Sequence, residues 1–394
     1  MARGPARIVT GREHPVRILH LHSSFSLGGK EARAVRLMNL MGDRAQHVIL
    51  SAMPGALGAR DAIAPGIKVN FPHDAPPLYG KPSLARYRDL AAYMQHFDLV
   101  LSYNWGAMDA VMARRVFAPF MRLPPLVHHE DGFNEDESVQ RNWKRNAFRR
   151  LALPATEALV VPSVLLQKIA AAEWKMSART RLIRNGIDVS AYSRSPTMLI
   201  PGLVRRAGEV VIGTVAGLRK VKDLPRLVRA VAILPPHVRL VIVGEGPERA
   251  AIAAEAVACG MQDRLVMPGF MPEPARWIGH FDLLALSSLS EQAPIAVIEA
   301  MAAGLPVISP DVGDVAAMVA HENRPFIPGD EAAFRAALLR LADDGALRAA
   351  LGAANRRAAA EGFDESMMVD SYERLYARSL EGYGLFSGRW MGID

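Results

Sequence analysis

Two glutamates, Glu291 and Glu299, stand eight positions apart in LSSLSEQAPIAVIEAMAAGLPVISPDV, residues 286–312. The first falls in a polar loop and the second in a strongly helical run, so the spacing puts two carboxylates at the mouth of one helix. Such a pair could serve as an acid and a base, or as two acceptors for hydroxyl groups. An apolar strand over 281–286 precedes them, and a Gly-Leu-Pro break leads into a second buried strand at 307–309. Ligands of an open parallel sheet collect where strand ends meet helix starts.

Other chemistry-bearing residues also fall at strand ends. Residues 16–22 read as the first strand, and the loop after it ends in Gly28 and Gly29, where Glu31 opens a helix with Ala34, Leu37, Met38 and Met41 on one side. Glycines there let backbone N–H groups approach a phosphate, and they equally suit a plain turn. The absence of GxGxxG argues against a nicotinamide fingerprint. The segment PPLVHHEDGFNEDE, 124–137, carries His128, His129, Glu130 and Asp131 to the end of an apolar strand. Adjacent strand residues point to opposite faces, which is poor spacing for a metal, so no metal site is assigned. A polar substrate, or a packed histidine with solvated acids, fits instead. Helix 141–154 sets Arg141, Lys144, Arg145, Arg149 and Arg150 among Trp143, Phe148 and Leu151. That mixture suits an anionic membrane surface or an ordinary solvated face. It carries no nucleic-acid motif, and nucleic acid is not expected as a partner. Strand 210–215 leads to Arg219, Lys220 and Lys222 just before a helix opened by Asp223 or Pro225, which makes an anion site or a basic surface loop.

These groups need strands alternating with helices to hold them. Further strands are expected at 47–51, 67–71, 99–102, 126–129, 158–161, 240–243 and 265–267, with helices at 332–361 and 367–380. That alternation means doubly wound parallel sheets. Residues 53–82, rich in Pro and Gly, read as irregular connections without chemistry of their own. Periodicity lapses at 193–208, so the expected organisation is a domain at 1–192, a linker at 193–208, a domain at 209–380 and a tail at 381–394. Two domains also suit a chain of 394 residues.

Composition narrows the class. Half of the residues are apolar and 22% are charged. No run reaches the roughly 18 apolar residues of a membrane span. Residues 1–16 have charge without the apolar core of a signal peptide, and the one cysteine, Cys259, admits no internal disulfide. A cytoplasmic protein is expected. Residues 1–200 hold 27 Lys and Arg against 16 Asp and Glu, a balance of +11, and the remainder carries −4. A basic half invites an anionic partner.

With these residues together, the chain resembles the retaining, nucleotide-sugar-dependent glycosyltransferases of family four, glycosyl transferases group 1. The resemblance rests on GGKEARA after the first strand, RNGID, the cationic loop ending at Lys222-Asp223, GEGPER, PGFMP and SEQAPIAVIEAMAAGLPVIS. It implies the GT-B fold, two Rossmann-like α/β domains facing across a cleft, the donor bound mainly by the second. Glu291 would contact the donor sugar and Glu299 the ribose hydroxyls. Ala293, Pro294, Ile295 and Ala296 would meet sugar and phosphate, and Phe270 and Met271 would border the base. Gly28, Gly29, Gly217 and Gly244 would lie in the donor-facing turns.

The family's arginine ahead of the lysine is matched best by Gly217, so either Arg219 substitutes or Lys222 carries more of the load. Its histidine before glycine is replaced by Asp131, with His129 just upstream, and either could hold a sugar hydroxyl. The implied activity is transfer from a nucleoside diphosphate sugar to a lipid-linked or cell-envelope saccharide acceptor, peripheral at the inner face of the cytoplasmic membrane. The nucleotide sugar is a co-substrate, and no metal or other cofactor is implied. A small soluble acceptor, or a catalytically weak nucleotide-sugar-binding partner in an envelope assembly complex, is the alternative.

Overall fold

Runs of valine, leucine and isoleucine bounded by glycine, proline and polar residues form twelve strands among the described residues, and every strand pairing is parallel. The computed structural model describes residues 15–26, 28–133, 137 and 141–384. The chain divides into two units, one made of Met1–Asn134, Arg141–Ile183 and Val369–Asp394, the other containing Arg184–Met368.

The first unit runs β1 Val16–His22, α1 Gly29–Met41, β2 Ala45–Ser51, β3 Val69–Asn70, α2 Leu84–Met94, β4 Leu99–Tyr103, α3 Met108–Phe117, β5 Leu126–His129, α4 Trp143–Ala152, β6 Ala158–Val161, α5 Val164–Ala172 and β7 Thr180–Leu182. Its strand order is β3-β2-β1-β4-β5-β6-β7. The central strands are buried on both faces, as a sheet covered by helices on each side must be. Order reverses between β1 and β4, which makes the crevice at their C-terminal ends the expected ligand position.

The second unit repeats the plan. It runs β8 Val210–Val215, α6 Leu224–Ala232, β9 Val238–Val243, α7 Arg249–Ala258, β10 Leu265–Gly269, β11 Leu283–Ala285, α8 Ile295–Ala302, β12 Val307–Ile308, α9 Val315–Met318, α10 Glu331–Asp343 and α11 Gly345–Gly362, after which α12 Glu365–Glu381 begins in this unit and from Val369 onward belongs to the first. The order β10-β9-β8-β11-β12 reverses between β8 and β11. Both units are therefore Rossmann-like α/β folds, as expected.

The boundaries differ from those expected. The division falls after Ile183, and the stretch expected as a linker at 193–208 belongs to the second unit. Thr197 and Met198 donate backbone N–H groups to the Arg276 carbonyl at 2.8 and 2.9 Å, and Ile200 is buried in that unit's core. A segment without periodicity is thus fixed by hydrogen bonds that leave no pattern in the sequence. The helix expected at 332–361 is two, because Asp344 interrupts it and caps α11, accepting from Leu347 N–H at 2.8 Å. The strand expected at 67–71 keeps only Val69–Asn70.

Helix α8 carries the second glutamate, and its placement depends on close packing. Val297, Ile298 and Met301 are buried in one cluster with Leu284 and Val307. At its end Gly304 turns with φ +76°, and a Cβ on Gly352 of α11 would lie 2.0 Å from the Gly304 carbonyl oxygen. Gly352→Ala must therefore force α11 off this turn. An overpacking cost of about 1–3 kcal/mol is expected, read as a lower urea midpoint with an unchanged m value.

Candidate active site

In the second unit the loops after β8 and β11 meet at the switch point. Beyond β8, Gly217 and Arg219 are exposed, and one tight turn over Lys220–Lys222 delivers Lys222 to the start of α6. Asp223 takes a left-handed conformation, φ +42°, so that buried Leu224 can begin the helix. Backbone and side-chain bonds stitch the two loops together. Leu289 N–H donates to the Val221 carbonyl at 2.8 Å, and Ser287 Oγ donates to the Lys222 carbonyl at 2.8 Å. Across this seam Lys222 Nζ donates to Glu291 Oε1 at 2.6 Å, and Ser288 Oγ donates to the same oxygen at 2.6 Å. Both charged side chains are largely buried, 24% and 9% exposed, where a charge-assisted bond is stronger than at a free surface. The second carboxylate oxygen carries no hydrogen bond among the described residues.

The backbone that follows Glu291 is held from three sides. Asn185 Nδ2 donates to the Ala293 carbonyl at 3.0 Å, and Asp314 N–H donates to the Gln292 carbonyl at 2.8 Å. Gly313, φ +59°, lies so close that a Cβ would be 2.5 Å from the Glu291 carbonyl oxygen. Pro294 then starts α8 without a side-chain cap, so the first N–H groups at Ile295 and Ala296 meet no side-chain acceptor. They form the positive end of the helix dipole, a few residues from Lys222's partner. Gly244 serves close approach: φ is +141° and a Cβ would sit 1.9 Å from the Ala216 carbonyl oxygen, just before Gly217.

Glu299 lies on α8 and accepts a 3.1 Å bond from the Tyr192 hydroxyl. Burial pushes its carboxyl up to about 7, a rise that the Tyr192 bond offsets only in part. Phe270 is 61% exposed at the end of β10, whereas Met271, expected beside a base, is 8% exposed and packs into the core of the unit. Its side chain lines the interior rather than a ligand surface.

In the first unit Gly28 and Gly29 stand at the start of α1, where Gly28 occupies the cap position without a side-chain bond. Here His129 and Asp131 take unequal positions. His129 is 1% exposed, with Nδ1 against the Ser102 carbonyl at 3.2 Å and Nε2 against the Tyr376 hydroxyl at 2.9 Å. A carbonyl only accepts, so Nδ1 carries the proton and Nε2 accepts from tyrosine. Burial and the nearby Arg33 charge push the imidazole down to about 3, which keeps it neutral at physiological pH. With both nitrogens engaged, His129 takes the packed-histidine alternative and not the hydroxyl-holding one. Asp131, 14% exposed at its side chain, is clamped by Arg33 through bonds of 2.7 and 2.9 Å. Burial opposes its ionisation, yet the Arg33 guanidinium outweighs that and holds the carboxyl below its usual range.

The cationic helix α4 also differs from expectation. Arg149 is fully buried, donates through Nε to Glu130 at 3.3 Å, and lies 5.1 to 5.3 Å from the Trp105, Phe133 and Trp174 rings. Arg141 pairs with Glu173 at 2.8 Å and Arg145 lies over Trp105 at 5.2 Å. Lys144 and Arg150 face solvent beside Trp143, 73% exposed, and Leu151, 56% exposed. Among the described residues no group of three or more His, Cys, Asp and Glu is placed to hold a metal ion, and no helix is long and apolar enough to cross a membrane.

Residues 200–358 match the family model of glycosyl transferases group 1. The matched residues all lie within the second unit. Among curated relatives, N-acetyl-alpha-D-glucosaminyl L-malate synthase of Bacillus anthracis is 28% identical over 199 residues, 49% of this chain and 52% of that protein. The lipopolysaccharide core biosynthesis glycosyltransferase LpsD of Rhizobium meliloti is 28% identical over 173 residues, 43% of this chain and 50% of that protein. The chain spans about half the length of these relatives. The crystal structure of Anabaena HepE in complex with UDP superposes with a TM-score of 0.74 at 20% identity, over 92% of this chain and all of that one. The likeness shows a shared fold, the GT-B class of two Rossmann-like units.

Within the second unit the structure brings together Lys222, Glu291 and the backbone from Ala293 to Ala296, with Gly217, Gly244 and Arg219 in the adjoining loops. It adds Ser288, Tyr192, Asn185 and Gly313, of which Asn185 lies within RNGID and Ser288 within the 286–312 stretch, though neither carries a role of its own in the sequence analysis. Ser288 was hidden among ordinary loop serines, and Tyr192 and Asn185 act across 107 and 108 positions. Only the short spacing from Ser288 to Glu291 offered a signal. Glu299 supplies a test. The folded carboxyl binds its proton up to about pH 7, while in the unfolded chain it releases it near the model value of 4.5. The folded state thus holds the extra proton between these values, and its contribution, up to about 3 kcal/mol, is present below pH 4.5 and lost as pH rises through 7. Glu299→Gln should flatten that slope, so that the Tm of the variant rises relative to the parent between pH 5 and 8.

Proposed function

We propose that this protein is a retaining glycosyltransferase that moves a sugar from a nucleoside diphosphate donor to an acceptor at the inner, cytoplasmic face of a membrane. The observation that carries the reading is the Lys222–Glu291–Ser288 cluster beside the uncapped start of α8. Lys222, with Arg219 in the same loop, and the N–H groups of Ile295 and Ala296 meet the diphosphate. The charge developing on the leaving group is then matched by fixed cations and a helix dipole, with no divalent ion required. Glu291 turns its free carboxylate oxygen to a donor-sugar hydroxyl. Glu299, ionised above pH 7, accepts from the ribose hydroxyls, and Phe270 borders the base.

Bond changes at the sugar follow from retention. The bond from the anomeric carbon to the diphosphate oxygen breaks while the acceptor oxygen bonds to the same face. The acceptor proton passes to the departing diphosphate. A double displacement through two carboxylates about 5 Å apart is not invoked, because Glu291 is already held by Lys222 and Glu299 by Tyr192. Anabaena HepE, whose fold is shared, was crystallised with UDP-glucose, which supports a nucleotide-sugar donor.

The acceptor side rests on α4. Its solvent face carries Trp143, Lys144, Arg150 and Leu151, an aromatic and aliphatic surface flanked by cations, which suits an anionic interface. A relative in lipopolysaccharide core biosynthesis supports this reading. The L-malate synthase relative supports the second reading, a small soluble acceptor.

Lys222→Met and Glu291→Gln should each lower donor-dependent release of nucleoside diphosphate at least about 100-fold with the circular dichroism spectrum unchanged. Near-parental rates in both would remove the assignment. On flotation with vesicles containing anionic lipid, the triple variant Trp143→Ala, Lys144→Glu, Arg150→Glu should lose binding. Retained binding would favour the soluble acceptor.

A further inference from the structure

The Pro- and Gly-rich stretch 53–82 walls a cavity of about 480 Å³ at the C-terminal ends of β2 and β3. That volume lies within the roughly 300–1,000 Å³ of small-molecule sites. Leu50 and Ser51 belong to its floor, Leu57, Phe71 and Pro76 to its walls, and Tyr79, 77% exposed, to its rim. No lysine, arginine, aspartate or glutamate lines it. The Ser51 hydroxyl is already bonded to the Met53 carbonyl at 2.9 Å. The lining is mainly apolar, with the imidazole of His73 and the hydroxyls of Ser51 and Tyr79 its polar side-chain groups, in the half of the chain that is otherwise strongly basic.

Its walls are fixed by hydrogen bonds. Arg86 donates to the carbonyls of Leu78 and Gly80 at 3.1 Å each and of Lys81 at 3.3 Å, and its guanidinium is anchored by Asp109. On the opposite side Phe25 N–H donates to the Ala56 carbonyl and Ala59 N–H to the Phe25 carbonyl, both at 2.9 Å. A cavity with such walls is preformed, so an occupant is spared the cost of ordering them. The opening is at the same sheet edge as the β1–β4 switch point. With strands about 4.8 Å apart, two to three strand spacings, roughly 10–15 Å, separate the two.

We propose that this cavity seats an aliphatic portion of the acceptor, which is then an amphiphile whose polar end reaches back toward the β1–β4 switch point. This rests on the glycosyl-transfer reading above. It narrows the acceptor to molecules carrying an alkyl or isoprenoid chain.

The test is calorimetric binding of methyl, hexyl and octyl β-glucoside, below micelle-forming concentrations, to the full chain, with nucleotide release measured on the same samples. Affinity should rise roughly threefold to fourfold per methylene. Tyr79→Ser and Pro76→Asp should each weaken octyl glucoside binding at least tenfold without lowering Tm, and Tyr79→Phe should restore it. Affinity independent of chain length, or unchanged in both variants, overturns the cavity proposal even when nucleotide release is intact. Chain-length-dependent binding lost in the variants, with no nucleotide release from any donor, upholds the cavity and overturns the glycosyl-transfer reading alone.

Discussion

The ion pair between Lys222 and Glu291 joins two loops that belong to strands adjacent only at the switch point of the second sheet. A carboxylate and an ammonium this far from water are tolerable only when each is matched, and removing one would strand the other. Much of the surrounding backbone serves that match. Ser287 and Leu289 bind the two loops edge to edge, Gly313 lets the β12 turn approach the Glu291 peptide, and Gly244 lets the β9 turn approach Ala216. The pair also leaves the second carboxylate oxygen without a hydrogen bond among the described residues, and that is the atom the proposed sugar contact uses.

How far the sequence could be read follows the same division between local and distant contacts. Glu291, Glu299 and the cationic loop were legible because strand, loop and helix succeed one another within one short stretch. The doubly wound class followed from alternation, and the order of strands agrees with it. Tyr192 was not legible, since it stands at the last position of the expected first domain and reaches Glu299 from 107 positions away. Met271 was placed beside a base by the resemblance alone, and beyond the end of β10 its side chain packs into the core of the unit instead. Arg149 misled for a different reason. A cation on a helix is read as solvated, but Glu130, 19 positions earlier, supplies a buried counter-charge.

The two switch points differ in their physical character. At the second the groups are largely buried and charged, and the start of α8 beside them has no side-chain cap among the described residues. At the first, His22, Tyr103 and His129 occupy neighbouring positions across β1, β4 and β5, and their rings stack with centroids 4.1 and 4.5 Å apart. Burial holds His22 and His129 well below the usual histidine range. These rings make a stiff, uncharged floor beneath the clamped Asp131, suited to shape and not to proton transfer.

Tyr376, which completes that floor by bonding His129, lies on α12, whose residues from Val369 onward belong to the first unit. The first unit is therefore built from segments separated by the whole of the second. On a ribosome adding about 5–20 residues per second, its seven strands would wait on the order of ten to forty seconds for the helix that covers His129. During that interval Tyr103 and His129 lie open to solvent and to other chains. The second unit, continuous from Arg184, can finish folding before the first.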